Sequence, residues 1–179
     1  MTGQRSDDSS GGEVRSLRGD RVSLRPLGPE DVETLRHIHS EPEVARWWGL
    51  PDDGFPLHDY PEAHRYVILH EERPVGMIQY AEERDPDARS ADIDIFIGCT
   101  LQGRGLGTDA MRAIVRYLQQ TRRHHRLTLS TSPDNHRAIR CYEKVGFRRV
   151  GTLALSMRHP VTRNWVDEIL MELVITPDT

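Results

Sequence analysis

One short segment constrains this chain more than any other. Gln102-Gly103-Arg104-Gly105-Leu106-Gly107-Thr108 joins its most regular strand to its most regular helix. Upstream, residues 91–98 alternate strictly: Ala91, Ile93, Ile95 and Ile97 point one way, and Asp92, Asp94 and Phe96 the other. Downstream, Leu106, Ala110, Met111, Ile114, Val115 and Leu118 recur at spacings of three and four and form one apolar stripe. Three glycines in such a turn expose several backbone N–H groups beside the positive end of a helix. That arrangement cradles anions, phosphates above all. Two common phosphate loops are excluded by their own residues. A Walker loop requires G-x-x-x-x-G-K-[ST], and no lysine lies here; a dinucleotide loop requires G-x-G-x-x-G, and Thr108 occupies its last position.

The remaining periodicities alternate between strand and helix. Val22, Leu24 and Pro26 start a short strand, and Pro29 opens a helix carrying Val32, Leu35 and Ile38. Residues 66–69 and 75–80 read as strands joined by the polar turn Glu71-Glu72-Arg73-Pro74. Residues 127–130 form the next strand, and residues 135–145 a helix stopped by Gly146. Residues 150–155 and 165–174 close the domain as two strands. Between Trp47 and Pro61, the run of Gly49, Pro51, Gly54, Pro56 and Pro61 marks a loop, with room for a second short helix in this region. A hairpin followed by two strand–helix units implies an α/β (α+β) fold, with a mixed central sheet and helices on both faces. The length of 179 residues suits one domain, assigned to residues 20–179. Residues 1–19, rich in Ser, Gly, Asp and Arg, read as a flexible tail.

Composition removes several function classes. Lys and Arg number 24 against 28 Asp and Glu, for a formal net charge of −4. That balance argues against nucleic-acid binding through a general basic surface and favours cationic partners. Two cysteines, Cys99 and Cys141, cannot build a disulfide scaffold or a four-cysteine zinc site. The N-terminal residues lack the apolar run of a signal peptide, and no stretch approaches the roughly 18 apolar residues that span a bilayer. The expectation is a cytoplasmic protein with no membrane partner and no metal. His124-His125, after Arg122-Arg123, reads as a solvated turn, because adjacent side chains rarely converge on one ion. Acidic residues 82, 83, 85 and 87, alternating with Arg84 and Arg89, read as a solvated loop.

A second motif lies downstream: Ser132-Pro133-Asp134-Asn135-His136-Arg137-Ala138-Ile139-Arg140-Cys141-Tyr142-Glu143-Lys144-Val145-Gly146-Phe147. With the Q-G-x-G-x-G turn before it, the chain resembles the GNAT acyltransferases over about residues 20–175. More narrowly, this run, the Trp47-Trp48-Gly49 triplet and the Asp-Ile-Asp-Ile-Phe-Ile-Gly strand are similar to aminoglycoside 6'-N-acetyltransferases. The resemblance implies a mostly antiparallel sheet, acetyl-CoA as cosubstrate, and acetyl transfer to the 6'-amine of an aminoglycoside by direct attack in a ternary complex. It implies that Gln102, Gly103, Arg104, Gly105, Leu106, Gly107 and Thr108 hold the CoA pyrophosphate. Asn135 then bonds the pantetheine arm, with Ala138 in the same cofactor-binding set. It further implies a sheet that splays near Ile97, Gly98 and Cys99, freeing amides for the thioester.

Acetyl transfer from a thioester to an amine needs a neutral amine, a stabilised oxyanion and a proton for the leaving thiolate. The resemblance makes Tyr142 the general acid, although the stripe Ala138, Ile139, Tyr142 equally suits a partly buried core tyrosine. Asn135 also suits a helix N-cap, with Asp134 competing for that place. Asp94 aligns with the acidic residue of the 6'-N-acetyltransferase pattern and is assigned as base or amine anchor, with Asp92 second. Alternatively, both are structural or exposed. Cys141 has no histidine at a motif position to activate it as a nucleophile.

An aminoglycoside carries several positive charges and flat sugar rings, so its pocket should offer carboxylates and aromatic surfaces. Trp47, Trp48, Asp167 and Glu168 join Asp92 and Asp94 as substrate-binding candidates, from a wider pool that holds Asp52, Asp53, Asp59, Glu62 and Trp165. A tryptophan pair is equally suited to the core, with one ring packed and the other facing the pocket. Asp167 and Glu168 alternate across a strand, so at most one faces the cleft. Competing functions are acetylation of another amine (a protein N-terminus, a polyamine or a siderophore precursor) and a non-catalytic acetyl-CoA sensor. The assembly is expected to be a monomer or a homodimer.

Overall fold

A computed structural model describes residues 16–83 and 85–175. Eight strands form one sheet: β1 (Leu17–Arg18), β2 (Ser23–Pro26), β3 (His64–His70), β4 (Arg73–Glu83), β5 (Ser90–Ile97), β6 (Arg126–Thr131), β7 (Arg148–Arg158) and β8 (Trp165–Val174). Their order is β1-β2-β3-β4-β5-β6-β8-β7, antiparallel throughout except between β5 and β6. Four α-helices cover it: α1 (Val32–His39), α2 (Pro42–Trp48), α3 (Leu106–Gln120) and α4 (His136–Val145).

The strict alternation of β5 decides which helices lie on which face. Ala91, Ile93 and Ile97 pack with Ala110, Met111, Ile114 and Leu118 of α3 and Ile139 and Tyr142 of α4. Phe96, on the other face, packs with Val67, Met77 and Phe55 and with Leu35, Ile38 and Val44 of α1 and α2. Helices therefore cover both faces, as the patterning implies. The β3–β4 hairpin turns on Glu71 and Glu72 alone, both at positive φ (50° and 62°). Arg73 and Pro74, read from sequence as turn, belong to β4 and pair with His70 and Leu69.

Three other expectations are corrected. Leu17 and Arg18, read from sequence as part of a tail, form β1 and pair with Leu24 and Ser23. The buried carboxylate of Asp109 on α3 then ties down this turn, accepting the N–H groups of Asp20, Arg21 and Val22 at 3.0, 2.8 and 3.0 Å. Residues 1–15 lie outside the described residues. Secondly, Trp47 and Trp48 do not begin a loop: they end α2, which starts with Pro42 at its first turn and stops at Gly49 (φ 81°). Thirdly, neither Glu82 nor His124 is solvated. Their side chains are 4% and 1% exposed, and Nε2 of His124 lies 2.7 Å from Oε1 of Glu82. Arg122 donates two hydrogen bonds to the same carboxylate, at 3.0 and 2.7 Å. A buried carboxylate is retained only where such donors replace water, and these two lie some forty residues away in the chain.

Candidate active site

The site begins where two strands part. β5 and β6 pair only at Ala91–Leu127 and Asp92–Thr128. Beyond Asp92, β5 follows β4 to the Gly76–Ile97 pair, while β6 follows β8 to Thr131–Ile169. A wedge opens between them. Backbone N–H and C=O groups along a strand face alternate edges. Gly98 donates to Val75 O on the β4 side (2.8 Å), so the amide of Ile97 faces the wedge. The Ile97 carbonyl, on the same edge, accepts from Nε2 of Gln102 at 2.8 Å. Of the trio expected to serve the thioester, the Gly98 amide donates to Val75 and the Cys99 amide to Glu41 Oε2, and the Ile97 amide is the one turned to the wedge.

The glycine turn forms one wall. Gly103 and Gly105 sit at φ 77° and 83°, where a side chain is strained, and Gly105 caps α3. The first intrahelical bond there is Asp109 N–H to Gly105 O (3.0 Å), which leaves the amides of Leu106, Gly107 and Thr108 as the donors of the helix start. The opposite wall is α4. Asn135 is its N-cap, with Oδ1 accepting the Ala138 N–H at 3.2 Å, so Asn135 and not Asp134 takes that role. Gln102 bridges the two walls, since its Oε1 accepts from Arg137.

Between the walls lies a cavity of about 590 Å³. Of the residues singled out from sequence, Ile97, Gln102, Gly103, Gly105, Leu106, Gly107, Thr108, Asn135, Ala138, Tyr142, Trp47 and Trp48 line it. Gly98, Cys99 and Arg104 do not; the Arg104 carbonyl instead receives the Arg21 guanidinium. Arg46, Arg137, Arg140 and Lys144 also border the cavity, against the two carboxylates Glu43 and Asp134, giving it a net basic rim. Trp48 packs edge-on against His39 and Phe96, at centroid distances of 5.7 and 5.2 Å, while Trp47 lies under the Arg46 guanidinium.

Tyr142 is buried, and among the described residues its hydroxyl makes no hydrogen bond, yet it borders the cavity. Burial raises its pKa above the ordinary phenol value, and the charges of Cys141, Asp94 and Asp92 push the same way. The phenol thus keeps its proton at neutral pH. Burial likewise raises the Cys141 thiol, the opposite of an activated nucleophile.

Asp92 and Asp94 lie off this cavity, on the sheet face that carries Phe96. Asp92 is solvent-accessible, but the protein around it still desolvates the carboxyl. Together with Asp94 and Glu168, this pushes its pKa up to about 6, against the hydrogen bond from Thr128 (2.9 Å). Burial also raises Asp94, opposed by the hydrogen bond from Gln79 (3.0 Å) and the charge of Arg65. Glu168 is the member of its pair whose charge acts on Asp92, and its Oε2 accepts the Ser156 hydroxyl at 2.9 Å; Asp167 is exposed and accepts the Leu155 amide (2.8 Å). The wider pool of candidates disperses: Asp52 caps the amides of Gly54 and Phe55, Asp59 binds Arg65, and Trp165 lies half-exposed near Arg158.

Sequence reading missed Arg65 and Gln79. They stand directly opposite one another and opposite Asp94 in the registers of β3, β4 and β5. Only the strand pairing makes that row visible. No group of three or more His, Cys, Asp or Glu side chains among the described residues could hold a metal ion. No helix among them is long and apolar enough to cross a membrane.

Known proteins share this architecture. Residues 21–148 match the acetyltransferase (GNAT) domain. The chain is 31% identical over 156 residues to the aminoglycoside N(6')-acetyltransferase type 1 of Klebsiella pneumoniae, covering 75% of this chain and 77% of that protein. It is 29% identical over 142 residues to the spermidine N(1)-acetyltransferase of Escherichia coli (strain K12), covering 74% and 75%. The solved structure of aminoglycoside acetyltransferase AAC(6')-Ib in complex with coenzyme A superposes with a TM-score of 0.71 at 26% identity, covering 86% of this chain and 94% of that one. The glycine turn before α3, the parted strands and the capped Asn135 helix thus occur in a chain that belongs to the GNAT acetyltransferases.

Proposed function

We propose that this acetyltransferase moves the acetyl group of acetyl-CoA onto the 6'-amine of an aminoglycoside, inactivating the antibiotic. The observation that carries this reading is the carboxylate pair Asp92 and Asp94 on β5, at the root of the wedge, with Tyr142 lining the cavity. A polycationic acceptor suits that acidic face. The anionic CoA suits the opposite side, with its orphan helix amides and basic rim.

The chemistry follows from these positions. Asp94, directly or through water, takes a proton from the acceptor ammonium, leaving a neutral amine. The amine nitrogen attacks the thioester carbon, and the Ile97 amide donates to the developing oxyanion. The C–S bond then breaks, and Tyr142 gives its proton to the departing thiolate. The tyrosinate regains a proton from the newly acylated nitrogen, and Asp94 releases the proton it took to solvent. Asp92, Glu168 and the tryptophans Trp47 and Trp48 bind and orient the acceptor; Asp167 has no part in this arrangement.

The test is release of CoA thiol from acetyl-CoA with kanamycin, tobramycin, amikacin and gentamicin. Controls are a 6'-hydroxyl aminoglycoside, spermidine and a short peptide. Turnover restricted to the 6'-amino compounds is expected. Turnover on spermidine alone would favour a polyamine acceptor, which the same acidic face also suits. Turnover on the peptide alone would remove the antibiotic from the reading.

A further inference from the structure

A row of three side chains crosses β3, β4 and β5 behind the proposed base. Asp94 Oδ2 accepts from Nε2 of Gln79 at 3.0 Å, and Gln79 Oε1 accepts from Nε of Arg65 at 2.8 Å. A guanidinium can only donate, so it must meet the amide oxygen of Gln79. The NH2 group is thereby turned to Asp94. Were Arg65 absent, the amide could flip and offer its oxygen, and an oxygen facing Asp94 favours the protonated acid.

Arg65 is itself held. Its side chain is 7% exposed, and Asp59 grips it with both carboxylate oxygens while the Pro56 carbonyl accepts a further bond. Its guanidinium also lies 5.9 Å from the centre of the Phe55 ring. The row therefore begins in the loop after α2 and ends at the carboxylate that faces the acceptor. Asp94 acts electrostatically on Asp92 of β5 and on Tyr142 of α4, Glu168 of β8 acts on Asp92, and on the same sheet face His39 of α1 packs against Phe55 and Phe96 and feels Asp59.

We propose that Arg65 is a positioning residue that acts through Gln79, fixing the amide so that Asp94 is presented as a proton acceptor with Oδ1 free for the amine. This rests on the reading of Asp94 as the base. A purely structural ion pair would hold the loop without setting the state of Asp94, and the two roles separate experimentally.

The measurement is the midpoint of the Asp94 carboxyl ¹³C titration, assigned by its loss in Asp94→Asn. It is compared in the unaltered protein, Gln79→Met and Arg65→Lys, alongside the acidic limb of kcat/KM for the best acceptor. Gln79→Met, which keeps the side-chain length but removes both hydrogen bonds, should move the midpoint up by at least about 0.5 in pH. Arg65→Lys retains a donor for Gln79 and should move it less. The KM for acetyl-CoA should not change. An unmoved midpoint in a folded Gln79→Met protein overturns the positioning role and leaves Asp94 as the base untouched. A midpoint that rises while the acidic limb stays fixed overturns Asp94 as the base, and with it the part of this row in the reaction. Should Arg65→Lys fail to fold, Asp59→Asn, which loosens Arg65 and leaves Gln79 in place, takes its position in the comparison, and an unmoved midpoint in it overturns the role of Arg65.

Discussion

Thr128 donates its hydroxyl to Oδ1 of Asp92 at 2.9 Å, on the last rung that β5 and β6 share. The bond marks the root of the wedge. On one side of this rung the sheet is continuous; on the other, the edges of β5 and β6 part.

The position of Asp92 predicts how the protein responds to pH. Its folded pKa, about 6, lies above the ordinary 3.8 because of burial, Asp94 and Glu168. A carboxyl raised on folding lowers stability as pH climbs through that window, since the folded state holds its proton more tightly than the unfolded chain. Asp92→Asn should therefore raise the melting temperature at about pH 7.5, and the gain should vanish near about pH 3.5. In the unaltered protein, KM for a polycationic acceptor should rise as pH falls below about 6, while Asp92→Asn shows a higher and flatter KM. Thermal melts and steady-state kinetics across this range check both.

Tyr142→Phe should lower turnover by about 100-fold, the usual scale for losing a general acid. Acetyl-CoA affinity and stability should hardly change, because the hydroxyl has no hydrogen-bond partner among the described residues and the ring keeps its packing with Phe147. Single-turnover kinetics and calorimetric titration with acetyl-CoA separate the two. Unchanged turnover would remove Tyr142 from the acid role.

Glu82 anchors the far end of the sheet. Burial alone would raise its pKa, but hydrogen bonds from Arg122 and His124 overcome that and hold it down to about 2, against an ordinary 4.5. A depressed carboxylate contributes stability that is present above the unfolded value and is lost as pH falls through the folded one. The window is thus from 4.5 down to about 2. Glu82→Gln should cost on the order of 1–3 kcal/mol at neutral pH, because one amide oxygen cannot replace both carboxylate oxygens that Arg122 and His124 meet, and a buried polar group is left unpaired. It should also flatten the acid end of the stability profile, read by urea unfolding at several pH values, with acetyl-CoA binding retained.

Much of this protein was written in local pattern. The alternation of residues 91–97, the stripe from Leu106 to Leu118 and the glycine turn between them establish a strand, a helix and a tight corner that exposes the first amides of the helix, because each depends on neighbours a few residues apart. The Asn135 cap and Gly146 stop are equally local. What the tertiary structure decided depends on strands meeting at particular registers. The wedge-facing amide of Ile97, the committed amides of Gly98 and Cys99, the burial of Glu82 and His124, and the row Arg65–Gln79–Asp94 arise only when segments 14 to 58 residues apart are brought together. Local periodicity carries which face a side chain takes. It carries no information on which strand lies beside it, and the chemistry of this site is set by that neighbour.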